Sequence, residues 1–313
     1  MLMRNLGRTG LKVSAFCLGT NTFGRATDQA ASDAVLDAFV EGGGNFIDTA
    51  DVYGRGESEK ILGNWLLARR NRGRQIVATK VGLPMGDAPN ERGLSRHWIM
   101  AGVEASLRRL QTDYIDLYQA HRDDRETPLE ETLRAFDDLV RQGKVRYVAS
   151  SNYASWRLAE ALSESEHHGW ARYESLQPRY NLYYRDEYER ELEPLCRERS
   201  VGVITYSSLG SGFFSGKYRR GQPLPATPRA SGVERDYFNE RGWRILEAVE
   251  RVAAARGATP SQVALAWIVQ RPGITAPIAS ATSPEQMRDL LGSIELNLDA
   301  EALAQLDQAS AWT

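Results

Sequence analysis

Asp48, Tyr53, Lys80 and His121 are the residues whose types and spacing suit proton transfer to or from a small polar molecule. Asp48 and Tyr53 lie in Asn45-Phe46-Ile47-Asp48-Thr49-Ala50-Asp51-Val52-Tyr53-Gly54. Within it Asn45 to Ala50 is short and apolar, follows Gly42-Gly43-Gly44, and reads as a buried strand delivering Asp48 and Tyr53 to the loop at its end. A free phenol has a pKa of about 10 and needs a neighbouring cation to work near neutrality. Lys80 supplies one at the end of the next apolar strand, Gln75 to Lys80. His121 closes the strand after that, Tyr114 to His121. Three successive strands therefore finish on groups able to hold or move a proton.

Strand-like and helix-like runs alternate along the rest of the chain, and this order is what must position those groups. Ser14 to Thr20 is the first strand, and Asp28 to Gly42 carries apolar residues at helical spacing. A helix opens near Gly56, another runs from Ser95 to Leu110 behind a Ser95 cap, and another from Leu129 to Gln142. The second half reads as strands at Val145–Ser150, Tyr173–Pro178, Gly202–Ser207 and Ile274–Ser280. Between them lie helices at Ser155–Glu166 and Glu187–Arg199, a long loop from Leu209 to about Asn239, and helices at Arg241–Arg256 and Pro260–Gln270. Helices at Pro284–Leu291 and Asp299–Ser310 end the series. Eight strand–helix units predict a single α/β domain over residues 1–313, a (β/α)8 TIM barrel. An N-terminal β-hairpin lies outside that count, and an extra helix precedes the eighth strand. In such a barrel the C-terminal ends of the strands form the active site. An open doubly wound sheet is the rival arrangement.

Bulk composition narrows the function classes. Apolar content of 42% and charged content of 26% are those of a soluble globular protein. A net charge of −2 gives no basic footprint for nucleic acid and no polybasic patch for membranes. No signal-peptide core or run of about 18 apolar residues is present. Cys17 and Cys196, without Cys-x-x-Cys spacing, read as reduced thiols of a cytoplasmic protein.

The chain resembles the aldo-keto reductase superfamily, in its bacterial form related to potassium-channel β subunits. The resemblance rests on Phe46 to Gly54 with Ser58-Glu59 and Leu62-Gly63, on Ala78-Thr79-Lys80, and on Leu117 to Asp124. It continues through Ser150-Ser151-Asn152, Gln177 to Asn181 and Thr205-Tyr206-Ser207. It implies an NADP(H)-dependent oxidoreductase, with NAD(H) possible, acting on an aldehyde, ketone or sugar carbonyl or on the alcohol. Tyr53 is then the general acid, Lys80 lowers its pKa, Asp48 pairs with Lys80, and His121 bonds the carbonyl oxygen.

For the cofactor, the resemblance implies Ser151, Asn152 and Gln177 at the nicotinamide carboxamide and Tyr206 stacked on the ring. Ser207, Leu209, Gly210 and Gly212 form a pyrophosphate cradle, with Lys217 adding charge. The glycines at 210 and 212 do not make a Rossmann fingerprint, because Ser215 stands where a third glycine is required. The resemblance also implies that the adenosine end is met where many relatives carry an arginine or lysine, and there this chain offers only Ser280, Thr282, Gln286 and, one turn on, Arg288. The substrate pocket draws on Asn21, Phe23, Val52, the Leu83–Gly93 loop, Arg122, Asp123 and the Leu209–Asn239 loop.

A small-molecule carbonyl or alcohol is the expected partner, and the chain is expected to be a monomer or weak homo-oligomer. Three rival readings are a cofactor-sensing accessory subunit with little turnover, an NAD-linked alcohol or sugar dehydrogenase, and a metal-dependent barrel hydrolase or isomerase. The last would need ligands from His97, His121, His167 and His168, which do not converge on strand ends, so no metal site is expected.

Overall fold

The computed structural model describes residues 1–312 and opens with an antiparallel hairpin of β1 (Met3–Asn5) and β2 (Lys12–Ser14). Eight parallel strands then close into a barrel. They are β3 (Cys17–Gly19), β4 (Phe46–Asp48), β5 (Ile76–Val81), β6 (Ile115–Ala120), β7 (Val145–Ser151), β8 (Tyr173–Gln177), β9 (Gly202–Thr205) and β10 (Ile274–Ala279). Neighbours in sequence are neighbours in the sheet, and β10 pairs back onto β3. The (β/α)8 expectation is met, hairpin included.

Helices cover the outside: α1 (Gln29–Glu41), α2 (Glu57–Arg69), α3 (Arg96–Leu110), α4 (Leu129–Arg141), α5 (Ser155–His168), α6 (Asp186–Glu189), α7 (Leu192–Glu198) and α8 (Ala230–Tyr237). α9 (Glu240–Arg256) and α10 (Pro260–Val269) both precede β10, and α11 (Pro284–Leu291) and α12 (Ala300–Ala309) follow it. The starts of α1, α3, α9, α10, α11 and α12 are each fixed by a side-chain acceptor for an unpaired amide. Ser95 accepts from the Trp98 amide as expected, and Thr259 forms a capping box with Gln262 ahead of Pro260.

Two boundaries differ from expectation. The helix expected over Glu187–Arg199 is broken into α6 and α7. Pro194 explains the break: in a continuous helix its ring would clash with the preceding turn, and it is tolerated only because α7 starts afresh two residues earlier. The loop expected from Leu209 to Asn239 contains a 3₁₀ turn at Gly210–Ser215 and helix α8. α8 was hidden because it is short, with only Ala230, Val233 and Tyr237 buried.

The core has two parts. Leu18, Ile47, Val77, Tyr118, Val148 and Leu176 point outward and pack under the helices. Cys17, Phe46, Ala78, Leu117, Ala149, Ile204 and Ala276 fill the barrel interior, with Leu6 and Val13 of the hairpin closing its lower end. Each buried aliphatic or aromatic side chain contributes roughly 1.5–3 kcal/mol. Period-two alternation does the positioning. Two residues beyond inward Phe46 comes Asp48, beyond Ala78 comes Lys80, beyond Leu117 comes Gln119, and beyond Ala149 comes Ser151. A polar layer is thus stacked directly on the apolar one, towards the C-terminal ends of the strands.

Candidate active site

Lys80 is the centre of that polar layer. It is fully buried, and its Nζ donates to Asp48 Oδ2 at 2.5 Å, to the Thr49 carbonyl at 2.8 Å and to the Tyr53 hydroxyl at 3.4 Å. The other oxygen of Asp48 accepts from Gln119 Nε2 and from Gln177 Nε2, both at 2.9 Å. Burial pulls the Lys80 ammonium towards neutrality, but Asp48 and Tyr53 outweigh it, so its pKa lies above the ordinary value. Lys80 therefore stays charged. It is followed by Val81 within β5, so the strand runs one residue past the expected end at Lys80.

Tyr53 begins a 3₁₀ turn, Tyr53–Gly56, which bends its ring back over Lys80, with Nζ 5.0 Å from the ring centroid. Burial raises the phenol pKa, Lys80 opposes that, and Asp48 adds to it. Lys80 brings the phenol pKa down as expected, yet the net direction is upward. In a nearly closed site the desolvation of phenolate is the larger effect. Tyr53 therefore carries its proton at neutral pH.

His121 follows β6 and stands edge-on to Tyr53, with ring centroids 6.0 Å apart at 81°. Burial, then the charges of Lys80 and Arg122, push its pKa down to about 3. It is a neutral imidazole, and its buried Nδ1 has no partner. It can offer or accept one hydrogen bond but brings no positive charge.

Ser151, Asn152 and Tyr206 are brought together beside it. Asn152 adopts a left-handed φ of 57°, which asparagine tolerates better than most residues. Its Nδ2 donates to the His121 carbonyl at 3.0 Å and to Ser151 Oγ at 2.9 Å, and its Oδ1 accepts from the Tyr206 hydroxyl at 2.8 Å. Gln177 is turned inward instead. Its amide nitrogen serves Asp48 and the Gln119 oxygen, the latter at 3.3 Å. Gln119 was missed in the sequence because a glutamine inside an apolar strand gives no motif.

The loop after β9 forms a concave run of backbone. Ser207, Gly210 and Gly212 all have positive φ, and Leu209 lies half-buried among them. At Gly212 a Cβ would come within 3.1 Å of Lys217 Nζ, so glycine keeps that ammonium free to face the loop. Lys217 lies near Arg229, and Arg229 near Arg25. Among the described residues none of the three has a carboxylate partner; Arg229 donates to Asn21 Oδ1 at 3.3 Å. Burial, then the neighbouring cation, lowers the pKa of both Lys217 and Arg229. Cations held together without an acid fit an anionic group such as a pyrophosphate. Arg25 and Arg229 carried no sequence signal, being 204 positions apart by number and joined only by barrel closure.

At the last loop Ser280 donates to Asn21 at 2.9 Å, and Thr282 bonds Gln286 Oε1 through both its amide and its hydroxyl at 3.0 Å. Ser283 caps α11 ahead of Pro284. Arg288 does not join them. It turns toward Glu41, 3.8 Å away, along a groove shared with Met1 and Leu291. Phe23, expected at the pocket, is fully buried in the outer core, and Asp123 is tied to Arg125 and Arg157. His97 starts α3, while His167 and His168 end α5, where His168 stacks on Trp170 at 4.3 Å.

Fold and site together define a (β/α)8 barrel with Asp48, Tyr53, Lys80 and His121 gathered at the C-terminal ends of its strands. The family model for the aldo/keto reductase family matches residues 15–311, and the chain belongs to that family. Among its relatives is a protein of Bacillus subtilis (strain 168) described as "Uncharacterized oxidoreductase YrpG". The two are 39% identical over 312 residues, covering 96% of this chain and 94% of the relative. The chain is an oxidoreductase of that family. Among the described residues no helix is long and apolar enough to cross a membrane.

Proposed function

We propose that the chain reduces the carbonyl of an aldehyde, ketone or sugar to the alcohol, or runs the reverse, with NADP(H) as cofactor. The observation that carries this reading is the sharing of one buried ammonium, Lys80, between Asp48 and the Tyr53 hydroxyl, beside an uncharged His121. The residues present fit a dinucleotide. Ser151 and Asn152 offer a hydroxyl and an amide to a carboxamide, and Tyr206 offers a flat face to its ring. Ser207, Leu209, Gly210 and Gly212, with Lys217 and Arg229, suit the pyrophosphate. Ser280, Thr282, Gln286 and the start of α11 suit the adenosine end and its 2′-phosphate. When bound, the reduced nicotinamide supplies the hydride.

The chain's own residues handle the proton. Tyr53, protonated at neutral pH, gives its hydroxyl proton to the carbonyl oxygen as negative charge develops there. Lys80 then sits 3.4 Å from the oxygen that has become phenolate and stabilises it. Asp48, fixed by Gln119 and Gln177, keeps Lys80 from moving away. His121 donates a hydrogen bond to the same carbonyl oxygen and orients it. In the alcohol direction Tyr53 must first lose its proton, which its raised pKa makes slower at neutral pH.

NAD(H) is the second reading, favoured by one observation: Arg288 faces Glu41, leaving no cation among Ser280, Thr282 and Gln286. Titration with NADPH and then NADH, followed through the seven tryptophans, separates the two. Tighter NADPH binding supports the proposal, and equal or tighter NADH binding replaces NADP with NAD. Tight binding without turnover on a carbonyl panel would point to an accessory, cofactor-sensing role. A small-molecule substrate and a monomeric or weakly associating chain complete the proposal.

A further inference from the structure

The turn that carries Tyr53 rests on a buried group of charges that the proposed chemistry does not use. Glu59 on α2 is fully buried and accepts from Thr79 Oγ1 at 2.6 Å and from Arg109 Nε at 2.7 Å. Arg109, from α3, lies across Gly56 at the end of the turn, where a Cβ would come within 2.6 Å of its Cδ. Asp51, two residues before Tyr53, is 2% exposed, and neither of its carboxyl oxygens has a partner. The Val52 amide lies near it but outside hydrogen-bond geometry. The Tyr118 hydroxyl, on the outward face of β6, is also buried without a partner.

Five titratable groups face Asp51: Glu59 from α2, Arg109 from α3, Lys80 from β5, Tyr118 from β6, and Tyr53 from the turn itself. Two cations and one carboxylate in that set are already matched, because Lys80 pairs with Asp48 and Arg109 with Glu59. An ionised Asp51 would be a third buried carboxylate set against two cations, with no donor on either oxygen. Such a group takes up a proton in preference to carrying an uncompensated charge.

We propose that Asp51 is a positioning residue, carried as a neutral carboxylic acid beneath the Tyr53 turn, and that holding this proton makes the stability of the fold around that turn fall as pH rises from acid through neutrality. Burial, reinforced by Glu59, pushes its carboxyl up to about 8 from the ordinary 3.8. The folded chain therefore binds one proton more than the unfolded chain between those values. Stability from this group is full below about pH 4 and is lost as pH rises to about 8, then level. An ionised Asp51 also disfavours the Tyr53 phenolate, so its catalytic consequence rests on the reading of Tyr53 as proton donor. Its effect on stability does not.

The test is Asp51→Asn, which keeps the shape and cannot ionise, compared with wild type by urea unfolding from about pH 5 to pH 9. The folding constant of the variant, divided by that of wild type, should rise about tenfold per pH unit up to about pH 8 and then level off. A ratio independent of pH, or a variant that loses most ground at alkaline pH, overturns the proposal. If the variant does not fold, infrared titration of wild type decides. A protonated-carboxyl band that disappears as pH rises through about 8 supports the assignment, and no such band at neutral pH overturns it. Neither readout depends on turnover, so failure of the reductase reading remains distinguishable.

Discussion

Replacing Lys80 with methionine tests how one residue serves both fold and chemistry. The side chain makes three contacts, to Asp48, the Thr49 carbonyl and Tyr53, at full burial. Methionine fills much the same volume and removes the charge, leaving Asp48 buried with only Gln119 and Gln177 as donors. Breaking a buried ion pair from one side costs about 3–5 kcal/mol, because the remaining charge is uncompensated. A domain with about 5–15 kcal/mol of stability survives that loss, but visibly weakened. The double variant Lys80→Met/Asp48→Asn removes the orphaned charge while keeping an amide oxygen to accept from both glutamines. More than half of the lost stability should return, with about 1–2 kcal/mol still missing for the Thr49 carbonyl. Carbonyl reduction should not return, since the phenolate of Tyr53 has lost its cation; it should stay down by about 10²–10⁴-fold in both variants. Urea unfolding and steady-state reduction on the same samples give the two quantities. A single variant as stable as wild type, or a double variant that regains activity along with stability, would refute the reasoning.

Three further outcomes follow from the geometry. Lys217→Ala and Arg229→Ala should each weaken cofactor binding by about 10–100-fold, from the loss of a charge-assisted contact. The loss should be equal for NADPH and NADH if both side chains hold the pyrophosphate, as fluorescence titration will show. Arg288→Ala should leave the NADPH-to-NADH affinity ratio within about twofold of wild type, since the side chain faces Glu41; a larger change would place it at the cofactor. For His121, with a folded pKa of about 3 against 6.5 unfolded, the unfolded chain binds more protons between those values. Its contribution is full above about pH 6.5 and is lost as pH falls towards 3. His121→Gln should flatten that acid limb of unfolding, and reduction should show no histidine ionisation between about pH 5 and 8.

The fold was legible because barrel strands are short apolar runs ended by polar or glycine residues, and helices between them keep a helical period. Asp48, Lys80 and His121 could be placed for the same reason: each stands within one residue of a strand end, where position in sequence is position in space. Gln119 and Gln177 show the limit of that reading. One looks like an interruption in a strand, the other like a cofactor contact, and their shared hold on Asp48 depends on which strands the closed barrel sets side by side. The Glu59–Arg109 pair joins two helices 50 positions apart, and no local pattern marks it. The effect of Lys80 on Tyr53 has the sign the sequence implied, but the net direction was not legible, because the depth of burial that outweighs Lys80 leaves no mark in sequence.

Tyr53→Phe, read in a single turnover with enzyme and NADPH in excess over an aldehyde, tests the central claim most directly. The substitution removes one hydroxyl whose recorded contact is to Lys80 at 3.4 Å, so folding and cofactor affinity should be nearly unchanged. The rate of NADPH oxidation should fall by about 10²–10⁴-fold. A variant that oxidises NADPH at the wild-type rate would mean that another group delivers the proton, and that the cluster around Lys80 is not the catalytic site.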